Sequence, residues 1–268
     1  MNMKILVLLA MTSLILLSCF SAGCVDQTAS QTDVLADVIS SLNKTLTDTR
    51  AEADKAADAY AAGPTPENGR QALATLYQRT TLTHDLLIAD ENGIVRAVYP
   101  DNIQSALGED LSRYPPNKEI FAGTDVYVSE YMVLENGLKA YLLSVPIRSP
   151  NGYAGYISLS FDPYRFFGAE EQKVLEKGYN LWVMQTDGTQ VFDADVSEAG
   201  VDLLNDPAYQ SVREMTHLVA ANPSGETKYV YTADIGTDRV EKTAVWDTFT
   251  FGGREWRVVL TKSAKING

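Results

Sequence analysis

The chain of 268 residues is 45% hydrophobic and carries a formal net charge of −13. That is enough apolar material for a buried core in one large or two modest domains. The acidity excludes nucleic acid, or an anionic membrane surface, as a partner held through a basic patch.

The N-terminus reads as a leader, residues 1–23. Lys4 is followed by an apolar run from Ile5 to Leu17, too short to span a bilayer but suited to a signal-peptide core. Ser21-Ala22-Gly23-Cys24 then resembles a lipobox, with Ser21 where Leu is usual. It predicts export and a lipid anchor at Cys24 on the outer face of the cytoplasmic membrane. Leu16-Leu17-Ser18-Cys19 is a competing frame, and an ordinary signal cleavage would leave a secreted protein. Cys19 lies in this leader, Cys24 directly follows it and no cysteine comes later, so the body has no internal disulfide, thiol nucleophile or thiolate metal site.

Residues 24–32 are polar and read as a tether. From Asp33, Leu35, Ile39, Leu42, Leu46, Thr49, Ala53, Ala56 and Tyr60 draw one stripe along a long helix. With a second helix after Thr65-Pro66 it forms a helical stalk over 33–82, whose stripe offers either a homodimer contact or packing on its own domain.

A first α+β unit follows over 83–165. Leu86 to Ala89 and Ile94 to Tyr99 flank an Asn92-Gly93 turn, a hairpin signal. A helical-looking cover comes next, then strands over Val126–Val133, Lys139–Arg148 and Tyr153–Asp162. A connecting helix, 166–178, stops at Gly178. A second unit, 179–264, repeats the order: a hairpin at Thr186-Asp187-Gly188, a helix from about Pro207 to Ala221, and three strands ending near Lys262. The two turns are offset by 95 residues, and Gly108-Glu109-Asp110-Leu111 has a cousin in Gly200-Val201-Asp202-Leu203. This degenerate repeat predicts two antiparallel-sheet units of PAS-like order behind a long N-terminal helix.

That organisation resembles the double Cache family of extracellular sensory domains. The residues that carry it are Leu87 to Val95, Leu143-Ser144-Val145-Pro146-Ile147 and Gly152 to Phe161. The resemblance implies a non-catalytic small-molecule sensor that binds in the membrane-distal unit, here the first. The family's amino-acid-binding branch uses Arg, then Trp-Tyr, later Tyr and Asp. Here Pro115-Pro116 follows Arg113-Tyr114, the first unit has no Trp, and Ser160 stands where Asp is expected, with Asp162 two residues on. The departure points away from an amino-acid ligand.

Strand alternation places Tyr127, Ser129 and Tyr131 on one face, and Tyr156, Ser158, Ser160 and Asp162 opposite Ile157, Leu159 and Phe161. Tyr141 and Ser144 come from the neighbouring strand. Tyr rings and Ser hydroxyls line small polar cavities well, and Arg113 can hold a carboxylate bidentately. The candidate ligand-binding set is therefore Arg113, Tyr114, Tyr127, Ser129, Tyr131, Tyr141, Ser144, Ser160 and Asp162, for a small carboxylate, amine or similar solute.

Enzymatic constellations are poor. His84-Asp85 is a lone pair, His217 lacks a partner at zinc spacing, and Asp90-Glu91-Asn92-Gly93 lacks the twelve-residue calcium loop. Asp193, Asp195 and Glu198 read as a solvated loop. No cofactor, metal or catalytic group is expected. The chain as given carries no kinase or methyl-accepting module, so the expectation is a membrane-bound signalling or transport partner. The alternatives are a transporter's solute-binding component and an interaction module without a small ligand.

Overall fold

Ser30 starts the first helix: its hydroxyl accepts from the Asp33 N–H, and the Asp33 carboxylate accepts in return from the Ser30 N–H. The structure, a computed structural model, describes residues 30–114, 118–134, 137–232 and 239–263. The leader, Cys19, Cys24, most of the tether and Pro115-Pro116 lie outside the described residues. Among those described, no helix is long and apolar enough to cross a membrane.

Helix α1 (Gln31–Ala61) begins two residues earlier than the sequence suggests because of that cap. Its stripe is buried: Val34, Leu35, Val38, Leu42, Leu46, Ala53 and Ala56 join one apolar core with both sheets. The helix is thus a spine packed on its own chain. Of the two readings of the Leu35–Leu42 stripe, the structure takes packing on its own domain, with those side chains 2% and 1% exposed within one chain. Helix α2 (Pro66–Arg79), capped by Thr65, packs on α1 and on the first hairpin.

The first sheet contains β1 (Thr83–Ala89), β2 (Val95–Tyr99), β3 (Tyr127–Val128), β4 (Met132–Val133), β5 (Lys139–Ser149) and β6 (Gly152–Phe161). The order is β2-β1-β6-β5-β3, with β4 paired separately to β5. The expected continuous strand over 126–133 is interrupted for a local reason. The Ser129 hydroxyl accepts the Leu142 N–H, substituting for a ladder carbonyl, and donates to the Glu130 carbonyl. The helical cover is slighter than expected, a 3-10 segment Asp101–Ala106 and a one-turn α3 (Ile120–Gly123).

Helix α4 (Pro163–Glu176) leads to the second sheet: β7 (Asn180–Gln185), β8 (Gln190–Phe192), β9 (Gly225–Thr232), β10 (Arg239–Phe251) and β11 (Arg254–Ser263). Its order, β8-β7-β11-β10-β9, repeats that of the first. The covering helix α5 (Arg213–Ala221) follows a 3-10 turn at Pro207–Tyr209 rather than starting there.

The repeat holds at the level of single hydrogen bonds. Leu111 N–H donates to the Gly93 carbonyl and Leu203 N–H to that of Gly188. Gly108 N–H donates to Val95 and Gly200 N–H to Gln190. All four glycines have φ between 84° and 94°, a region that side chains other than hydrogen rarely adopt.

The units meet in an aromatic core. Tyr141, fully buried on β5, stacks on Phe161 and meets Trp256 edge-on, each with centroids 5.4 Å apart. Its hydroxyl donates to Gln185 Oε1 at 3.0 Å and accepts from Trp256 Nε1 at 2.8 Å. Tyr141→Phe leaves one buried donor and one buried acceptor unpaired. It should lower unfolding free energy by about 1–3 kcal/mol in urea denaturation; an unchanged midpoint would show that this link between the units contributes nothing.

Candidate functional site

Antiparallel pairing fixes which side chains share a face of the first sheet. Tyr127 pairs with Ser144, Ser144 with Ser158, and Ser158 with Leu87. These four form a row on the face away from α1. Beside it run Ala89, Tyr156 and Pro146 on one flank, and Ser160, Leu142 and the Ser129 segment on the other. Leu86, Ile88, Leu143, Val145, Ile157 and Leu159 take the opposite face, against α1.

Ser144 and Ser158 are buried, and their hydroxyls are hydrogen-bonded to each other at 2.9 Å. Phe121 covers one end, packing with Tyr153 and Tyr156 at centroid distances of 6.1 and 6.4 Å. A small apolar cluster of Ala89, Phe121 and Tyr156, with Leu87, Tyr127 and Tyr153 against it, accompanies the serines. Burial pushes the Tyr156 phenol up to about 12 and raises that of Tyr127, so both stay protonated donors. At the Asp85 end lies an open depression of about 480 Å³ lined by Tyr77, His84, Asp85, Pro100, Asn102 and Leu138.

The second sheet shows what fills the same space when it is closed. By the 95-residue offset of the hairpins, Trp182 corresponds to Leu87. Trp182 pairs with Val259, Val259 with Trp246, and Trp246 with Gly225. Val259 and Trp246 therefore stand where the first unit has Ser158 and Ser144, and Gly225 stands where it has Tyr127. The Trp246 ring crosses so close over Gly225 that an added Cβ would lie 2.4 Å from it. Trp182, Met184, Trp246 and Val259 form a closed apolar core with Met215 and Val219 of α5.

The expected site residues divide accordingly. Tyr127, Ser144 and Ser160 are on the covered face; the Ser160 hydroxyl accepts from the Asp85 N–H at 3.0 Å. Ser129 borders it, with its hydroxyl used in the backbone. Tyr131 leaves the Tyr127 face: it packs on Tyr141, 5.4 Å away, and its buried hydroxyl has no hydrogen-bond partner among the described residues. Burial pushes its phenol up to about 12. Tyr141 lies in the inter-unit core rather than with the serines, because its strand neighbours alternate and it points with Leu143 toward α1. Arg113 and Tyr114 are exposed in the loop beyond Asp110. Asp162 is past the strand end: it caps α4, accepting from the Tyr164 N–H at 2.8 Å, with His84 Nε2 3.6 Å away. Ser158 and Tyr156 complete the face, and strand alternation from Ser160 already pointed to them. Phe121 had no periodic signal. Among the described residues, no group of three or more His, Cys, Asp and Glu is placed to hold a metal.

Residues 41–163 match the family model of the HK/GC/chemotaxis protein-like sensor domain. The chain has a double Cache fold. An extracellular ligand-binding receptor from Desulfohalobium retbaense superposes with TM-score 0.69 at 23% identity, over 86% of this chain and 40% of that one. This chain thus spans two-fifths of that receptor. The ligand-binding domain of the Pseudomonas aeruginosa amino acid chemoreceptor PctB, solved with L-Gln, gives TM-score 0.63 at 11% identity, covering 86% and 88%. The periplasmic sensory domain of a Campylobacter jejuni chemoreceptor gives 0.56 at 13%, covering 86% and 91%. A search of curated protein sequences finds no match. Within this double Cache fold, Asp162 holds a helix end. Asp162→Ala should cost about 1 kcal/mol in chemical denaturation, whereas Asp162→Asn, which keeps a capping oxygen, should cost much less. Equal losses would mean that the carboxylate charge, beside His84, matters more than the cap.

Proposed function

We propose that this chain is an extracellular, non-catalytic ligand-binding sensor that holds a small solute on the covered face of its first unit. One observation carries the reading. At matched positions of two sheets with the same strand order, the second unit has Trp246 and Val259 where the first has Ser144 and Ser158. A face packed by Trp and Val needs nothing more. A face of hydroxyls and Tyr rings under a cover of little regular structure is suited to exchanging partners. The sensor-domain match over residues 41–163 and the neighbours' extracellular or periplasmic ligand-binding roles support this assignment.

A melting screen over carboxylates, amines, amino acids and neutral heterocycles tests it. A ligand at 100 times its Kd should stabilise the fold by about 2.7 kcal/mol. Ser144→Trp, which imports the second unit's own filling, should abolish that response, and the milder Ser158→Val should weaken it. A response that survives both substitutions would move the site elsewhere; no response from any class would remove the proposal.

The leader and Cys24 supply the rest of the reading: export, lipid anchoring on the outer face of the cytoplasmic membrane, and a signal passed to a membrane-bound partner. Wild-type protein should fractionate with membranes and incorporate labelled palmitate. Cys24→Ser should do neither; a variant that remains lipidated would shift the anchor to Cys19 or refute it.

A further inference from the structure

Resting on the first-unit site just proposed, we infer that its solute is uncharged: a small ring-bearing molecule that exchanges hydrogen bonds with the Ser144–Ser158 pair. The inference starts from what those hydroxyls have left to give. Each serine hydroxyl has one donor and two acceptor sites. Their mutual bond uses one proton and one lone pair. One O–H and several lone pairs remain, on side chains that are 0% and 4% exposed. A neutral carbonyl, amide or ring nitrogen matches that remainder.

Most of the charged groups around the face are engaged or turned away; Arg254, whose charge reaches the Tyr127 phenol at the edge of the row, is the exception. Arg148, at the Phe121 end, donates to Asp125 Oδ1 at 2.8 Å and toward the Phe121 carbonyl at 3.4 Å. Asp125 is also 3.8 Å from Arg50 on α1. Asp162 caps α4, and Asp85 at the open depression has a contact of its own. Arg113 is exposed. Ser160, on the same face, is neutral, and its hydroxyl is bound to the Asp85 backbone. An ion seated on the Ser144–Ser158 pair would shed its water with only neutral hydroxyls as partners there, which penalises the charged form. The rings of Phe121, Tyr127, Tyr153 and Tyr156 supply apolar walls that favour a planar solute. Their phenols stay neutral, since burial raises all three tyrosines.

Matched pairs test charge at constant shape. Nicotinamide against nicotinate, and uracil against orotate, are titrated at neutral pH with Kd taken from the concentration dependence of melting; benzylamine supplies a cation. At least one neutral member should bind, more than about tenfold more tightly than its carboxylate partner, and Ser158→Val should weaken it. Nicotinate, orotate or benzylamine binding as tightly as the neutral compounds would overturn the inference. So would silence from all five. The sensor reading itself would still stand if the broader screen gave a response that Ser144→Trp removes, so the two failures are separable.

Discussion

The apolar stripe of α1 is the constraint on which the rest of the structure depends. Val34, Leu35 and Val38 near its start, and Leu42, Leu46, Ala53 and Ala56 further along, belong to one continuous core that includes strands of both sheets. The helix packs on β5 and β6 of the first unit and on β10 and β11 of the second. At about 1.5–3 kcal/mol for each buried Val or Leu, these side chains are a large share of what holds the junction together. The helix end is also tied to the second sheet by Gln31, whose amide donates to the Leu260 carbonyl at 2.8 Å. Both sheets therefore have one face committed. Whatever exchanges with solvent or ligand must do so on the other.

On that other face the two units diverge, and the divergence is a matter of side-chain volume. Strand order, turn glycines and the Gly-x-Asp-Leu hydrogen bonds repeat. The central row does not: Leu87, Ser158, Ser144 and Tyr127 in one unit, Trp182, Val259, Trp246 and Gly225 in the other. Trp246 supplies enough ring to close its unit with α5 above it. Two serines supply almost none, and the packing shown at their end of the face comes from Phe121 on a single helical turn. The same backbone thus gives one sheet a fixed core and the other a polar floor.

Much of this was legible in the sequence because it depends on period and local chemistry. The α1 stripe, the Asn92-Gly93 and Asp187-Gly188 turns, and the alternation of β6 are short-range patterns. The order of elements along the chain follows from their repetition, whereas the strand order within each sheet comes from the structure. Where the chain departs from expectation, a side chain has intervened. Ser129 takes a ladder position and divides one strand into β3 and β4. Ser30 and Asp162 start helices earlier than the apolar pattern does. The site was less legible, since alternation gives a face only if the strand is continuous. Alternation from Tyr127 places Tyr131 on the same face, but the break at Ser129 turns it to pack on Tyr141 instead. Tyr141 has the composition of a binding residue, but its position in register with Leu143 sends it to the core. Phe121 reaches the face from a loop, where period carries no information.

Tyr141 also bears on how occupancy of the first unit would reach the second. It sits on β5, three residues from Ser144, and faces the opposite way. Its hydroxyl is held by Gln185 and Trp256, both from the second sheet. Asp162 directly follows β6, two residues past Ser160, and caps the helix that leads into the second sheet. The two strands that carry the serine pair are therefore both fastened to the second unit, as is β3, whose Val128 N–H donates to the Gly252 carbonyl. A shift of β5 against β6 cannot be absorbed locally, because close-packed cores rearrange in discrete steps rather than deform smoothly. It would be expressed at the Tyr141–Trp256 contact and at the start of α4, and from there along the face of α1 that both sheets share.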